Sequence, residues 1–140
     1  MELLEPMDLP SDDRSVAKFL LDVCMAVRTL HVHGFVHRDI KPQNIMRRKN
    51  GDCVLIDFGL AKKFAAGEPI LGGASVTVMN GRAVGAGTPR YAAPEQFNGG
   101  DISPAADIHA LGILANECFD GRPPRVWERI IGKANNNATE

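Results

Sequence analysis

Apolar residues at Val16, Phe19, Leu20, Val23, Cys24, Val27 and Leu30 recur at spacings of three and four, the signature of one helical face. Ser11, Asp12 and Asp13 offer an N-cap and first-turn negative charge, and Gly34 offers a C-terminal stop. The pattern predicts a helix over 11–33, and because the stripe is broad the helix is expected to be mostly buried. Ser103-Pro104 opens a second helix, 104–120, with Ile108, Leu111, Leu114, Ala115 and Cys118 as its apolar positions and Gly121 as its stop. A third amphipathic piece, 124–134, carries Val126, Trp127, Ile130 and Ile131 on its apolar side.

Between the first two helices the period changes. Residues 1–10 read as a short strand and a proline-punctuated connection. Residues 45–47 form a candidate strand, Asn50-Gly51 a strong hairpin turn, and 53–56 a continuous apolar strand. This hairpin brings Asn44 and Asp57 to the same end of two adjacent strands, where they are plausible joint ligands for Mg²⁺, a hard cation that takes oxygen and needs few protein ligands. From 65 to 87 the chain is rich in glycine and small residues, and so long a connection is normally functional or mobile. Residues 76–79 with Asn80-Gly81 are a candidate for a local hairpin inside it.

Composition narrows the function classes. With 44% apolar residues among 140 the chain can bury a core, and one domain, 1–140, is expected. Sixteen basic and 17 acidic residues leave a formal charge of -1, too balanced for an electrostatic nucleic-acid or membrane binder. Cys24, Cys53 and Cys118 lack zinc or disulfide spacing, and reduced thiols in a cytoplasmic setting are expected. His31, His33 and His109 show no ligation pattern and read as surface or capping histidines.

The chemistry is concentrated in His37-Arg38-Asp39-Ile40-Lys41-Pro42-Gln43-Asn44 and Ile56-Asp57-Phe58-Gly59. A carboxylate, a lysine and two oxygen donors stand on neighbouring loops, the set that phosphoryl transfer from a metal nucleotide requires. Singly, each residue could cap a turn or lie in solvent; jointly and in this order they are highly specific. The chain resembles the eukaryotic-type serine/threonine protein kinase family over nearly its whole length.

That resemblance implies Asp39 as the base, Lys41 as the cation at the γ-phosphate, and Asn44 and Asp57 as Mg²⁺ ligands, with Phe58 packed and Gly59 allowing a sharp turn. It implies ATP and Mg²⁺ as cofactors and a protein hydroxyl as substrate. Gly87-Thr88-Pro89-Arg90-Tyr91-Ala92-Ala93-Pro94-Glu95 resembles the end of a kinase activation segment, so that Thr88 would bond toward Asp39 and Lys41. Lys41 with Thr88 matches the serine/threonine rather than the tyrosine pattern. Asp107 resembles the buried aspartate that accepts backbone hydrogen bonds from the catalytic loop, adjoining His37. Glu95 would pair with an arginine expected beyond Glu140. Arg38 would receive a phosphate from the activation segment, with Ser75 and Thr77 as candidate acceptors and Lys62 or Lys63 completing the pocket.

The fold expected from the resemblance is mainly α with a small β-hairpin, a protein-kinase-like C-terminal lobe (α+β). Its parts are a hinge remnant 1–10, a catalytic loop 35–48, an activation segment 57–95, and helices 11–33, 104–120 and 124–134. No GxGxxG loop, VAIK-like lysine or partner glutamate occurs in the sequence, so the N-terminal lobe is expected upstream and the isolated chain is expected to be inactive. Two alternatives stand beside a kinase fragment: a truncated, non-catalytic binding or scaffold module, and a small-molecule kinase.

Overall fold

The computed structural model describes residues 3–64, 77–79, 82–84, 87–98 and 103–119. In chain order these form strand β1 (Glu5–Pro6), helix α1 (Asp13–Val32), strand β2 (Phe35–Val36), a 3₁₀ turn (Pro42–Asn44), strands β3 (Ile45–Arg47), β4 (Cys53–Leu55), β5 (Lys62–Lys63), β6 (Thr77–Met79) and β7 (Arg82–Val84), and helices α2 (Glu95–Asn98) and α3 (Ala105–Cys118). The strands make three small antiparallel sheets, β1-β3-β4, β2-β5 and β6-β7. Among the described residues no helix is long and apolar enough to cross a membrane.

Helix α1 begins where its caps require. Asp12 keeps an extended backbone, and its carboxylate accepts the Ser15 N–H at 2.9 Å, satisfying one of the orphan donors of the first turn. Gly34, at φ +78°, turns the chain out of the helix, and the Phe64 N–H then donates to the Gly34 carbonyl at 2.7 Å. That bond ties the segment after Asp57 back to the end of α1. The β2–β5 register, Phe35 opposite Lys63 and Val36 opposite Lys62, continues the same tie.

The β3–β4 hairpin pairs Ile45 with Leu55 and Arg47 with Cys53. Beyond the ladder the Ile56 N–H donates to the Asn44 carbonyl at 2.8 Å, so Asn44 and Asp57 do leave the same end of two paired strands. β1 adds to β3 as an edge strand, with Pro6 opposite Met46, an edge being where proline's missing N–H is tolerated. The β6–β7 pairing, with Thr77 opposite Val84, forms the expected local hairpin.

One core joins the pieces. Val16, Phe19, Val23 and Val27 of α1 pack with Ile40, Ile45, Leu55, Tyr91, Ala110, Leu114 and Cys118. A smaller cluster, Val36, Ala93 and Ala106 with Phe64 against it, adjoins the segment that begins at His37.

The extent of helix burial differs from expectation. Only Val16, Phe19, Val23 and Val27 of α1 are buried, while Leu21 (61% exposed), Met25 and Val32 lie open. In α3 the buried face is Ala106, Asp107, Ala110, Leu114 and Cys118, and Ile108 is exposed. Both helices bury a narrow three-and-four stripe, and neighbouring positions about 100° around each helix turn away from it. Helix α3 closes at Cys118 with Phe119 as its cap; Gly121 and the predicted helix over 124–134 lie outside the described residues.

Phe19→Ala is expected to destabilise the chain by about 3–5 kcal/mol, as for large buried side chains generally. Leu21→Ala is expected to change stability by no more than about 0.5 kcal/mol. Urea unfolding of the two variants measures both.

Candidate active site

The segment His37 to Ile40 is buried, which obliges its backbone polar groups to find partners inside the protein. Asp107, on the first turn of α3 and wholly buried, supplies two. The Arg38 N–H donates to Asp107 Oδ1 and the His37 N–H to Asp107 Oδ2, both at 2.8 Å. From the other side Gln96 Nε2 donates to the Arg38 carbonyl at 2.9 Å, while Gln96 Oε1 accepts the Ala93 N–H. Arg38 is thereby held at φ +72°, a left-handed conformation that costs a non-glycine residue about 1–3 kcal/mol and persists only when its surroundings impose it.

The His37 ring completes the brace. Its Nδ1 accepts the Asp39 N–H at 3.3 Å, so Nε2 carries the hydrogen and donates to the Ile56 carbonyl at 3.1 Å. The ring meets Phe58 edge-on at 5.1 Å. Phe58 is half exposed, so its packing is against His37 rather than within the core.

Asp39 is the hub. Its Oδ1 accepts the Thr88 N–H at 3.1 Å and the Thr88 hydroxyl at 2.8 Å; its Oδ2 accepts Lys41 Nζ at 2.8 Å and Asn44 Nδ2 at 3.1 Å. Lys41 Nζ also donates to Thr88 Oγ1 at 2.8 Å. Burial pushes the Asp39 carboxyl upward, but the bonds from Lys41 and Thr88 outweigh it and hold the group below its ordinary value. Asn44 Nδ2 additionally donates to the Asp39 carbonyl at 2.8 Å. With both amide hydrogens spent on Asp39, Asn44 Oδ1 is the atom left to bind a cation.

Asp57 follows β4 at φ +61° and is exposed; its Oδ1 accepts the Gly59 N–H at 3.2 Å. An amide oxygen and a carboxylate at one end of a hairpin are the donor chemistry that Mg²⁺ prefers, with water and phosphate filling the remaining positions.

Gly87 is where the Thr88 segment reaches the His37–Ile40 segment. It adopts φ +122°, and a Cβ there would lie 2.9 Å from Gln96 Nε2 and 3.1 Å from the Arg38 carbonyl. Farther along, the buried Tyr91 donates its hydroxyl to Glu117 Oε2 of α3 at 2.7 Å, and Arg90 pairs with the other oxygen of Glu117. Burial raises the Tyr91 phenol to about 12.

Arg38 carries its guanidinium into the interior, where none of its three nitrogens has a hydrogen-bond partner among the described residues. Burial lowers its pKa, and the same effect with the Arg38 charge lowers that of Lys62. Glu95 opens α2 and Thr77 opens β6; Ser75 lies outside the described residues.

Two residues of the brace escaped the sequence reading. His31, read there as a surface or capping residue, binds Asp107 Oδ2 at 2.8 Å. The signal was present: His31 stands four residues after Val27, continuing the buried stripe of α1. Gln96 carried no signal. His33 does cap, its Nδ1 lying 2.7 Å from the Thr29 carbonyl.

The family model described as protein kinase domain matches residues 2–140. Serine/threonine-protein kinase PknB of Mycolicibacterium smegmatis is 34% identical over 134 residues, 95% of this chain and 20% of that protein. Serine/threonine-protein kinase PknD of Mycobacterium tuberculosis is 39% identical over 111 residues, 79% of this chain and 15% of its own length. Serine/threonine-protein kinase RUNKEL of Arabidopsis thaliana is 36% identical over 127 residues, 90% and 9% respectively. The chain thus spans a fifth or less of the length of each.

Gly87→Ala is expected to cost about 1–3 kcal/mol, since it forces an L side chain into a glycine conformation against three close neighbours, Gln96, Ala92 and Arg38; thermal unfolding checks this. Asp39, with a folded value below its unfolded 3.8, contributes stability that is complete above 3.8 and is lost as pH falls through the lower folded value. Lys41→Ala or Thr88→Val should move that loss to higher pH, read from a carbon-13 titration of the Asp39 carboxyl.

Proposed function

The chain belongs to the protein kinase domain family, and we propose that its described residues are the larger, mostly helical lobe of a serine/threonine kinase that transfers the γ-phosphoryl group of ATP to protein hydroxyls in the cytoplasm. The observation that carries this reading is the closed triangle in which Asp39 Oδ2 and Thr88 Oγ1 each lie 2.8 Å from Lys41 Nζ, with Thr88 Oγ1 2.8 Å from Asp39 Oδ1. A base, a cation and the segment that would seat an acceptor are joined before any ligand arrives.

ATP with Mg²⁺, when bound, supplies the transferable phosphoryl group and the charge that offsets its oxygens. Asn44 Oδ1 and the Asp57 carboxylate would hold the metal. Asp39 orients the acceptor hydroxyl and takes its proton as the oxygen bonds to phosphorus and the bond to the leaving diphosphate oxygen breaks. A carboxylate has about four acceptor sites, and Thr88 N, Thr88 Oγ1, Lys41 Nζ and Asn44 Nδ2 occupy all of them. An acceptor hydroxyl therefore enters by displacing one donor. Lys41, at the partly exposed edge of the group, is the donor that can turn toward phosphate and open a position on Oδ2.

The bond from Thr88 to Asp39 favours a protein over a small-molecule acceptor, because it ties the 87–95 segment, with its peptide-docking resemblance, directly to the base. In the same reading the Arg38 guanidinium, without a hydrogen-bond partner among the described residues and with Lys62 beside it, receives a phosphate carried on Ser75 or Thr77. Loss of activity in Arg38→Ala and Thr77→Ala together supports that role, and unchanged activity in both removes it.

Phosphotransfer to a generic basic protein tests the main reading. The 140-residue chain alone is expected to turn over near zero, since its sequence holds no VAIK-like lysine to align the α- and β-phosphates. Joined to a segment that carries a glycine-rich loop and a VAIK-like lysine, it should transfer phosphate, and Asp39→Asn should reduce kcat by about 10³-fold. Robust transfer by the Asp39→Asn variant would overturn the assignment.

A further inference from the structure

The stretch from Gly87 to Pro94 carries a single charge, Arg90, and the fold fixes where it stands. The Tyr91 and Ala92 N–H groups both donate to the Thr88 carbonyl, at 2.9 and 3.0 Å, closing a tight turn that contains Arg90. Thr88 is itself bonded to Asp39 through its N–H and its hydroxyl. Two residues span at most about 7 Å of chain, so the Arg90 backbone stays close to the residue bonded to Asp39. An extended segment that brings a hydroxyl to Asp39 advances only about 3.3 Å per residue, which leaves its flanking side chains within reach of an arginine there.

The Arg90 side chain is anchored. Its Nη2 pairs with Glu117 Oε1, while the Tyr91 hydroxyl donates to Oε2 at 2.7 Å. Glu117 is thus bonded at both oxygens and shows 12% of its side chain to solvent, against 72% for Arg90. The carboxylate lies on the protein side of the pair and the cation on the water side, so a group arriving from solvent meets positive charge first. The donors that remain on the planar guanidinium suit a second carboxylate. A fork already held in place loses less freedom on binding one.

We propose that Arg90 is a specificity-determining residue: it selects protein segments with an aspartate or glutamate close in sequence to the acceptor hydroxyl, the acidic side chain bonding to the exposed edge of the guanidinium. The proposal rests on the phosphotransfer reading for its kinetic form. Glu117 holds the cation in position and offsets part of its charge, so the selection is several-fold rather than absolute.

The kinetic test uses the polypeptide that shows Asp39-dependent transfer, with peptides that hold one threonine acceptor and differ only in Glu, Gln or Lys at each flanking position in turn. At one or more positions Glu should raise kcat/KM about fivefold over Gln, and in about 1 M salt that ratio should fall toward one. Arg90→Gln, which keeps a donor for Glu117, should abolish the Glu preference, and Arg90→Glu should reverse it in favour of Lys. Each ratio is taken within one variant, so a general loss of activity or stability does not move it. An unaltered protein that ignores these changes or favours Lys, or a Glu preference that survives in Arg90→Gln, would overturn the proposal. A second measurement needs no transfer: in the 140-residue chain, the Arg90 Nε–H resonance should shift on titration with at least one Glu peptide and stay in place with its Gln counterpart. Absence of Asp39-dependent transfer would sink the phosphotransfer reading, and this resonance alone would then decide whether Arg90 takes an acidic side chain, no shift with any Glu peptide counting against it.

Discussion

A carboxylate with no exposure to water, Asp107, holds the amides of His37 and Arg38 at 2.8 Å each, and the rest of the site depends on that grip. Burying such a charge is expensive unless it is fully bonded, and removing the partners of a buried ion costs about 3–5 kcal/mol. The fold meets the requirement from three directions: the loop backbone gives two donors, α1 gives the His31 ring, and α3 gives the carboxylate itself. What emerges is a short stretch of backbone, unfavourable at Arg38 φ +72°, that cannot relax without stripping a buried charge.

From that fixed backbone the chemistry follows by geometry. Asp39 is delivered to a point where Thr88, Lys41 and Asn44 converge on its two oxygens, and donation from Lys41 and Thr88 outweighs the burial that raises its pKa. Asp57, at φ +61°, is the second non-glycine residue in the left-handed region among the described residues, and it too stands at the site. Two strained positions at one site are consistent with pre-organisation, in which packing elsewhere sets side chains for a reaction before its reactants arrive.

Much of this was legible in the residues. The spacing of Val16, Phe19, Val23 and Val27 marked α1, Asp12 marked its start, and Asn50-Gly51 marked the hairpin that sends Asn44 and Asp57 out of one end. These are local signals, set by contacts within a few positions. The depth of burial was not local: Leu21 and Ile108 are as apolar as their buried neighbours, and only the course of the other elements decides which face is covered. The His31 bond spans 76 positions to Asp107 and the Gln96 bond 58 positions to Arg38. No periodicity encodes such a pair, although a histidine on the buried stripe of a helix is a reason to look for its partner.

Asp107 must govern the environment of Asp39 at a distance if its grip on the loop assembles the site. The direct measurement is the carbon-13 titration of the Asp39 carboxyl in Asp107→Asn, a variant that keeps the shape of the side chain but replaces one acceptor oxygen with a donor. If the grip on the loop is what brings Asp39 to Lys41 and Thr88, the carboxyl must titrate at higher pH than in the unaltered protein. A midpoint that stays where it was would show the site to be assembled without Asp107, and would contradict the account.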